Sequence, residues 1–228
     1  MTDIKFRNDV TVELVQHCGS DAMIANAARV STGADTREHT DERDKGLIKY
    51  LMRERHGSPF EHNLFTFRIE APLFVSKEHM RHRSGWSYNE TSGRYRELEP
   101  VFYEPSSVRP LVQTGKPGAY TFTSGDWSHK SAVQDSTFES YDIAWREYQN
   151  MLQYGVAKEV ARTVLPVGIY THYYASCNAR SLMHFLGLRT SEDALHEIRQ
   201  VAHKMEERFR DVMPTVWNAW IESDRRAP

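Results

Sequence analysis

The sequence predicts an α+β fold: a mainly antiparallel sheet packed by long helices, in one domain spanning residues 1–228. Three observations carry this. Thr11 to Gln16 and Asn63 to Ala71 alternate apolar and polar residues, the period of a half-buried strand, with Phe65, Phe67 and Ile69 on one face. Tyr141, Ala144, Trp145, Tyr148, Met151 and Leu152 recur at helical spacing, as do Leu195, Ile198, Ala202, Met205, Phe209 and Val212. With 228 residues, 39% hydrophobic and 26% charged, the chain can bury a sizeable core and leaves little room for extended disorder.

The elements follow in order. After the strand at Thr11–Gln16, the Ala-rich run Asp21 to Val30 is helical, with Ser20 or Asp21 as N-cap. Asp35 to Asp44 is polar and reads as a loop or helix entry. Leu47, Ile48, Leu51 and Met52 form a helical stripe ending near Gly57-Ser58-Pro59, and Pro72 closes the strand that follows. Residues 76–83 predict a short helix carrying Arg81 and Arg83 near its end. The stretch from Glu99 to Ser136 is rich in Pro, Gly, Ser and Thr and predicts a long irregular, variable loop at about 104–136. Long helices are expected at 138–154, closed by Gly155, and at 180–212 before Pro214.

Composition excludes several classes. A net charge of −2 gives no global field for a nucleic-acid polymer, so the basic clusters point to small anionic ligands. Cys18 and Cys177 lie far apart and form neither a disulfide framework nor a zinc ribbon. His79 and His82 are spaced i, i+3, but no third ligand follows, and no metal is expected. There is no apolar run of membrane-spanning length and no apolar core of a signal peptide near the start, so the expected location is cytoplasmic.

The densest chemistry lies between Arg81 and Arg96, where Arg81, His82, Arg83, Arg94 and Arg96 are interleaved with Ser84, Ser87, Thr91, Ser92 and one carboxylate, Glu90. Guanidinium forks suit phosphate oxygens, and an interleaved acid can hold a sugar hydroxyl or a base edge. The segment reads as a site for a nucleotide. Two further segments join it: His56-Gly57-Ser58-Pro59-Phe60-Glu61-His62, a polar loop between two ordered elements, and Ala157 to Arg189. On the latter's helix, Arg180 and His184 share a face at i, i+4, and Arg189 falls half a turn away.

Arg81-His82-Arg83 followed by Ser87-Tyr88-Asn89-Glu90-Thr91-Ser92-Gly93-Arg94-Tyr95 resembles the signature of the flavin-dependent thymidylate synthases. The His56–His62 segment, Ala161-Arg162-Thr163-Val164-Leu165-Pro166 and Asn178-Ala179-Arg180-Ser181-Leu182 resemble other segments of that family, in the same order. One more residue separates Arg83 from Ser92 than in the family pattern, and it is read as a bulged turn within Ser84-Gly85-Trp86. Glu78 stands where the family usually carries Gln, and His184 where it often carries Asn.

The resemblance implies an enzyme that transfers a methylene group from methylene-tetrahydrofolate to C5 of dUMP. FADH2 then reduces it to dTMP, and NADPH or NADH restores the reduced flavin. It implies FAD contacts from Ser58, Glu61, Arg81, His82, Arg83, Glu90, Asn178, Arg180 and His184, with His56 near the folate and nicotinamide side. It implies dUMP contacts from Glu78, Arg81, Glu90, Ser92, Gly93, Arg94, Arg162 and Arg189. Among these, Arg94 and Arg162 hold the phosphate with Ser92 and the Gly93 amide, and Arg189 is the catalytic group that polarises the pyrimidine. It further implies a homotetramer with sites shared between subunits, the two long helices building the contacts. The alternatives are a related one-carbon transferase acting on another pyrimidine nucleotide, or a non-catalytic nucleotide- or nucleic-acid-binding protein.

Overall fold

A computed structural model describes residues 4–33 and 41–228. In chain order the strands are β1 (Lys5–Arg7), β2 (Thr11–Cys18), β3 (Leu64–Pro72), β4 (Trp86–Glu90), β5 (Val101–Tyr103), β6 (Val112–Lys116), β7 (Ala119–Thr123) and β8 (Tyr170–Cys177). The helices are α1 (Asp21–Arg29), α2 (Asp41–Arg53), α3 (Leu73–His79), α4 (Trp127–Gln153), α5 (Lys158–Ala161), α6 (Ala179–Arg189), α7 (His196–Val212) and α8 (Pro214–Glu222). By packing, the chain falls into two compact units: Met1–Val10, Glu70–Lys77 and Glu90–His172 in one, Thr11–Ile69, Glu78–Asn89 and Tyr173–Pro228 in the other.

In the first unit β1 pairs in parallel with β5, from Lys5 opposite Val101 to Arg7 opposite Tyr103. The stripe read from the sequence on α4 is what this unit buries. Trp145 and Tyr148 pack with Phe102, Ala161 and Ile169, flanked by Tyr141, Met151 and Leu152. The Phe102 and Tyr141 rings stack at 4.7 Å.

The second unit carries most of a four-stranded sheet in the order β2-β3-β8-β4. Thr66 Oγ1 meets Ser176 Oγ at 3.0 Å, and Glu70 lies 3.7 Å from His172. Both pairs have the same residue-number sum, so β3 and β8 run antiparallel. Phe65, Phe67 and Ile69 are fully buried, as the alternation predicts, and the Phe209 ring meets Phe65 edge-on at 5.7 Å. Helix α7 packs on β2 and α6, with Ile198, Val201, Met205 and Phe209 inward. Ser20 caps α1 by accepting from Met23 N–H, and Asp21 accepts the Thr215 and Val216 N–H groups at the start of α8, both at 3.0 Å.

Four expectations require correction. The stretch 104–136 is not irregular: β6 and β7 form an antiparallel hairpin around Pro117-Gly118, and α4 begins at Trp127 rather than near 138. The hairpin strands are exposed on almost every residue, so no apolar alternation marks them, although the Pro-Gly pair is itself a turn signal. The early turns of α4 are exposed too; they are started by Asp126, which accepts the His129 N–H at 3.1 Å. The helix expected over 180–212 is two helices. At the break Thr190 Oγ1 donates to Leu186 O at 2.7 Å and Ala194 N–H to Ser191 O at 3.1 Å, local bonds that compete with helix propagation. The helix expected over 76–83 runs over Leu73–His79, which leaves Arg81 and Arg83 in the turns beyond it. Of the stretch 35–44, residues 35–40 lie outside the described residues and Asp41 opens α2. No helix among the described residues is long and apolar enough to cross a membrane.

Candidate functional site

In the second unit the expected site residues gather around the end of α3 and both ends of α6. Helix α3 stops at His79, whose carbonyl finds a donor outside the helix. The Tyr88 hydroxyl sits 3.0 Å from His79 O and 2.9 Å from His82 O. Burial, with Cys177 a lesser influence, pushes the Tyr88 phenol up, so it stays a donor. Two tight turns follow, with Arg81 N–H to Glu78 O at 3.2 Å and His82 N–H to His79 O at 3.0 Å. Arg81 and Arg83 are exposed there, and their guanidiniums have no side-chain partner among the described residues.

His79 is fully buried. Its Nδ1 lies 3.1 Å from the Tyr173 hydroxyl, and its ring stacks on Phe185 at 4.4 Å. Among the described residues no cluster of His, Cys, Asp and Glu could hold a metal ion. Arg189, the last residue of α6, donates from Nε to His82 Nε2 at 2.9 Å and from Nη1 to Glu78 Oε1 at 2.5 Å. The carboxylate that departs from the family pattern is thus met by an arginine.

Burial, helped by the charges of His82 and Arg189, lowers His79 to about 3; burial, with Arg189 and His184, lowers His82 to about 4. A histidine whose folded value lies below its free value of about 6.5 leaves the unfolded chain binding more protons between the two. The contribution of these histidines to stability is therefore full above about pH 6.5 and declines as pH falls toward 4. Urea midpoints at pH 7.5, 6 and 4.5 read this decline, and His82→Gln makes it shallower.

At the other end of α6, Asn178 caps the helix by accepting Ser181 N–H at 2.9 Å. Arg180 reaches Glu61 Oε1 at 2.6 Å and Pro228 O at 2.7 Å, while Ser58 and His184 are exposed. Ser181 Oγ donates to Ser84 O at 3.1 Å, tying the helix start to the turn that holds the additional residue. That turn is closed by Trp86 N–H to Arg83 O at 3.2 Å. Gly85 adopts φ 71°, and a Cβ there would stand 2.1 Å from Ser181 Oγ. Gly85→Ala is expected to cost about 1–3 kcal/mol in urea unfolding, from left-handed strain plus loss of the Ser181–Ser84 bond.

The first unit holds the other group. A cleft of about 360 Å³, a small ligand-sized volume, is lined by Lys77, Glu90, Gly93, Arg162, Tyr170 and Thr171 among others. The buried Ser76 hydroxyl donates to Glu90 Oε1 at 2.7 Å and so orients that carboxylate. Gly93 is buried against Arg162, where a Cβ would stand 3.0 Å from Cδ, so glycine lets the arginine stem lie across the backbone. Arg94 instead pairs with Glu159 at 3.0 Å, both side chains about half exposed, and Ser92 Oγ accepts Arg94 N–H at 3.3 Å. Two cations and an oriented carboxylate in one cleft suit a phosphorylated sugar. Sequence reasoning missed Lys77 and Ser76; neither stands in a motif, and only the folded cleft marks them.

Cys177 is buried, and burial pushes its thiol well up, so it is a poor nucleophile.

The family pattern described as "Thymidylate synthase complementing protein" matches residues 13–215. The chain is 53% identical to a flavin-dependent thymidylate synthase of Streptomyces avermitilis, over 98% of this chain and 95% of that one. It is 47% identical to the corresponding protein of Tropheryma whipplei strain TW08/27, over 99% and 98%. Among solved structures it is similar to a UMP/dUMP methylase, PolB, from Streptomyces cacaoi. The form bound with 5-Br dUMP gives a TM-score of 0.93 at 46% identity, covering 99% of this chain and 100% of that one. The form bound with 5-Br UMP gives 0.91 at 45% identity, covering 99% of each chain.

Proposed function

We propose, from the premise that the chain belongs to the family of the flavin-dependent thymidylate synthases, that it methylates dUMP at C5 to give dTMP. Methylene-tetrahydrofolate supplies the carbon and NAD(P)H the reducing equivalents. The observation that carries this reading is the family match over residues 13–215, which spans both the Arg189 cluster and the Arg162 cleft. The breadth of that match supports reading the chain as one working domain.

In this reading the cleft takes the nucleotide phosphate and sugar. Arg162 and Arg94 hold the phosphate with Ser92 and the Gly93 amide, Glu90 accepts a hydroxyl, and Glu78 and Arg81 complete the nucleotide side. Arg189 meets the pyrimidine and stabilises the negative charge that makes C5 nucleophilic, the work of a fixed cation on a developing anion. Cys177 takes no part, since it is buried and held protonated.

The second unit's donors fit FAD. The exposed guanidiniums of Arg81 and Arg83, without a side-chain partner among the described residues, suit its diphosphate, and Ser58, Glu61, Asn178, Arg180 and His184 are the further groups that would hold it. When bound and reduced, FAD supplies the hydride that completes the methyl group.

A homotetramer with shared sites and a cytoplasmic location belong to the same proposal. Trp127 and Tyr154, 81% and 89% exposed in the isolated chain, support an assembly, and light scattering reads its mass.

The test is anaerobic conversion of dUMP with FAD, NADPH and methylene-tetrahydrofolate, product read by mass spectrometry. Flavin-dependent dTMP supports the reading; no methylated product from flavin-loaded protein overturns it. The similarity to a protein bound with 5-Br UMP favours a second reading, in which UMP is also methylated, and a parallel UMP reaction decides it.

A further inference from the structure

Arg189 is the group on which the proposed chemistry turns, and the structure shows how its guanidinium is held. A guanidinium carries five N–H protons in one rigid plane. Two are committed here, Nε–H to His82 Nε2 at 2.9 Å and one Nη1–H to Glu78 Oε1 at 2.5 Å, which leaves three uncommitted among the described residues. Two acceptors at different points of a planar cation fix both its position and its rotation, whereas one would leave it free to pivot. Both acceptors come from one short stretch, Glu78 in α3 and His82 in the turn beyond it. That stretch is anchored by the Tyr88 hydroxyl lying between the His79 and His82 carbonyls.

We propose that His82 is a positioning residue for Arg189, acting with Glu78 as a two-point lock that leaves the Nη2 end of the guanidinium aimed at the pyrimidine. This rests on the synthase reading given above and assigns His82 a task other than a flavin contact. The lock requires an imidazole that accepts at Nε2, so its proton sits on Nδ1. Three features keep His82 in that neutral form. The residue is only 9% exposed, the Phe185 ring meets it edge-on at 4.9 Å, and the cationic Arg189 disfavours a second positive charge beside it. His79 and Glu78 on α3 and His184 and Arg189 on α6 are the titratable and charged groups around it. Its value lowered to about 4 agrees with this geometry. Glu78 supplies the second acceptor, so the guanidinium is held while its remaining donors stay free to meet a developing anion.

The experiment compares His82→Leu and His82→Gln in full-length, flavin-loaded protein. Glutamine places a terminal amide oxygen near the former Nε2 and can still accept; leucine cannot. His82→Leu is expected to lose roughly 10- to 100-fold in kcat, with KM for dUMP and bound flavin per chain changed less than threefold. His82→Gln is expected to recover most of that loss. An unchanged kcat in His82→Leu overturns the lock, as does a loss wholly accounted for by missing flavin, or the failure of Gln to recover activity in a folded, flavin-loaded variant. A readout independent of turnover separates this from the synthase reading itself. In arginine-15N-labelled protein, with the Arg189 signal assigned by its disappearance in Arg189→Lys, the Nε–H proton exchanges slowly in wild type and fast in His82→Leu. Equal exchange in both overturns the lock whatever the enzyme makes, while slow exchange in an inactive wild type supports the lock and overturns the synthase reading instead.

Discussion

Arg189→Ala is expected to lower kcat/KM for dUMP by roughly 10²- to 10³-fold, the scale seen when one preorganised donor to a developing anion is removed. Most of the loss should appear in kcat, because the interaction is strongest when the ring carries its charge. Removing the guanidinium also leaves Glu78 with no cation, so nucleotide binding weakens through repulsion of the phosphate-bearing ligand. Glu78→Gln in the Arg189→Ala background should restore that binding while leaving kcat low. Steady-state kinetics of the single and double variants, with flavin content measured alongside, separate the two effects. An Arg189→Ala enzyme within threefold of wild type would remove the arginine from the chemistry altogether.

Arg162→Ala is expected to act on capture instead. Losing one charge-assisted bond to a phosphate corresponds to roughly a 10- to 100-fold rise in KM for dUMP with kcat changed less than threefold. Arg162 lines the same cleft as Lys77 and Glu90, and its stem lies against Gly93, so its removal also opens a gap over that backbone. Lys77→Ala should show the same signature in smaller measure, because a flexible ammonium lacks the planar fork of arginine. Isothermal titration with dUMP checks the direction without relying on turnover.

Much of this was legible in the sequence because the strongest signals are local. Phe65, Phe67 and Ile69 announce a strand by alternation, and Tyr141 to Leu152 announce a helix by period, since each face meets a core along its whole length. The hairpin at β6 and β7 and the first half of α4 bury almost nothing, so their periodicity had no apolar face to print. The length of α3 depended on Tyr88, nine positions beyond His79, supplying a hydroxyl to its last carbonyl, which no helix-stop pattern records. At the site, residue types pointed to a nucleotide and the motif pointed to a family. The partner of Arg189 lies 111 positions away in the chain, and a salt bridge across that distance leaves no local trace. Ser76 and Lys77 were silent for the same reason: each matters only through what folding sets beside it.

The pairing of Glu78 with Arg189 also divides the work between long-range and short-range forces. A neutralised pair produces a field that fades quickly with distance, so Arg189 has little to say to a nucleotide still in solution. The attraction felt across several ångströms of water comes from cations such as Lys77 and Arg162, and dissolved ions shield it beyond about 8–10 Å at ordinary ionic strength. In its proposed role Arg189 works at contact, where shielding ions do not enter. Brine would therefore slow the arrival of the nucleotide and leave untouched the discrimination exercised once it has arrived.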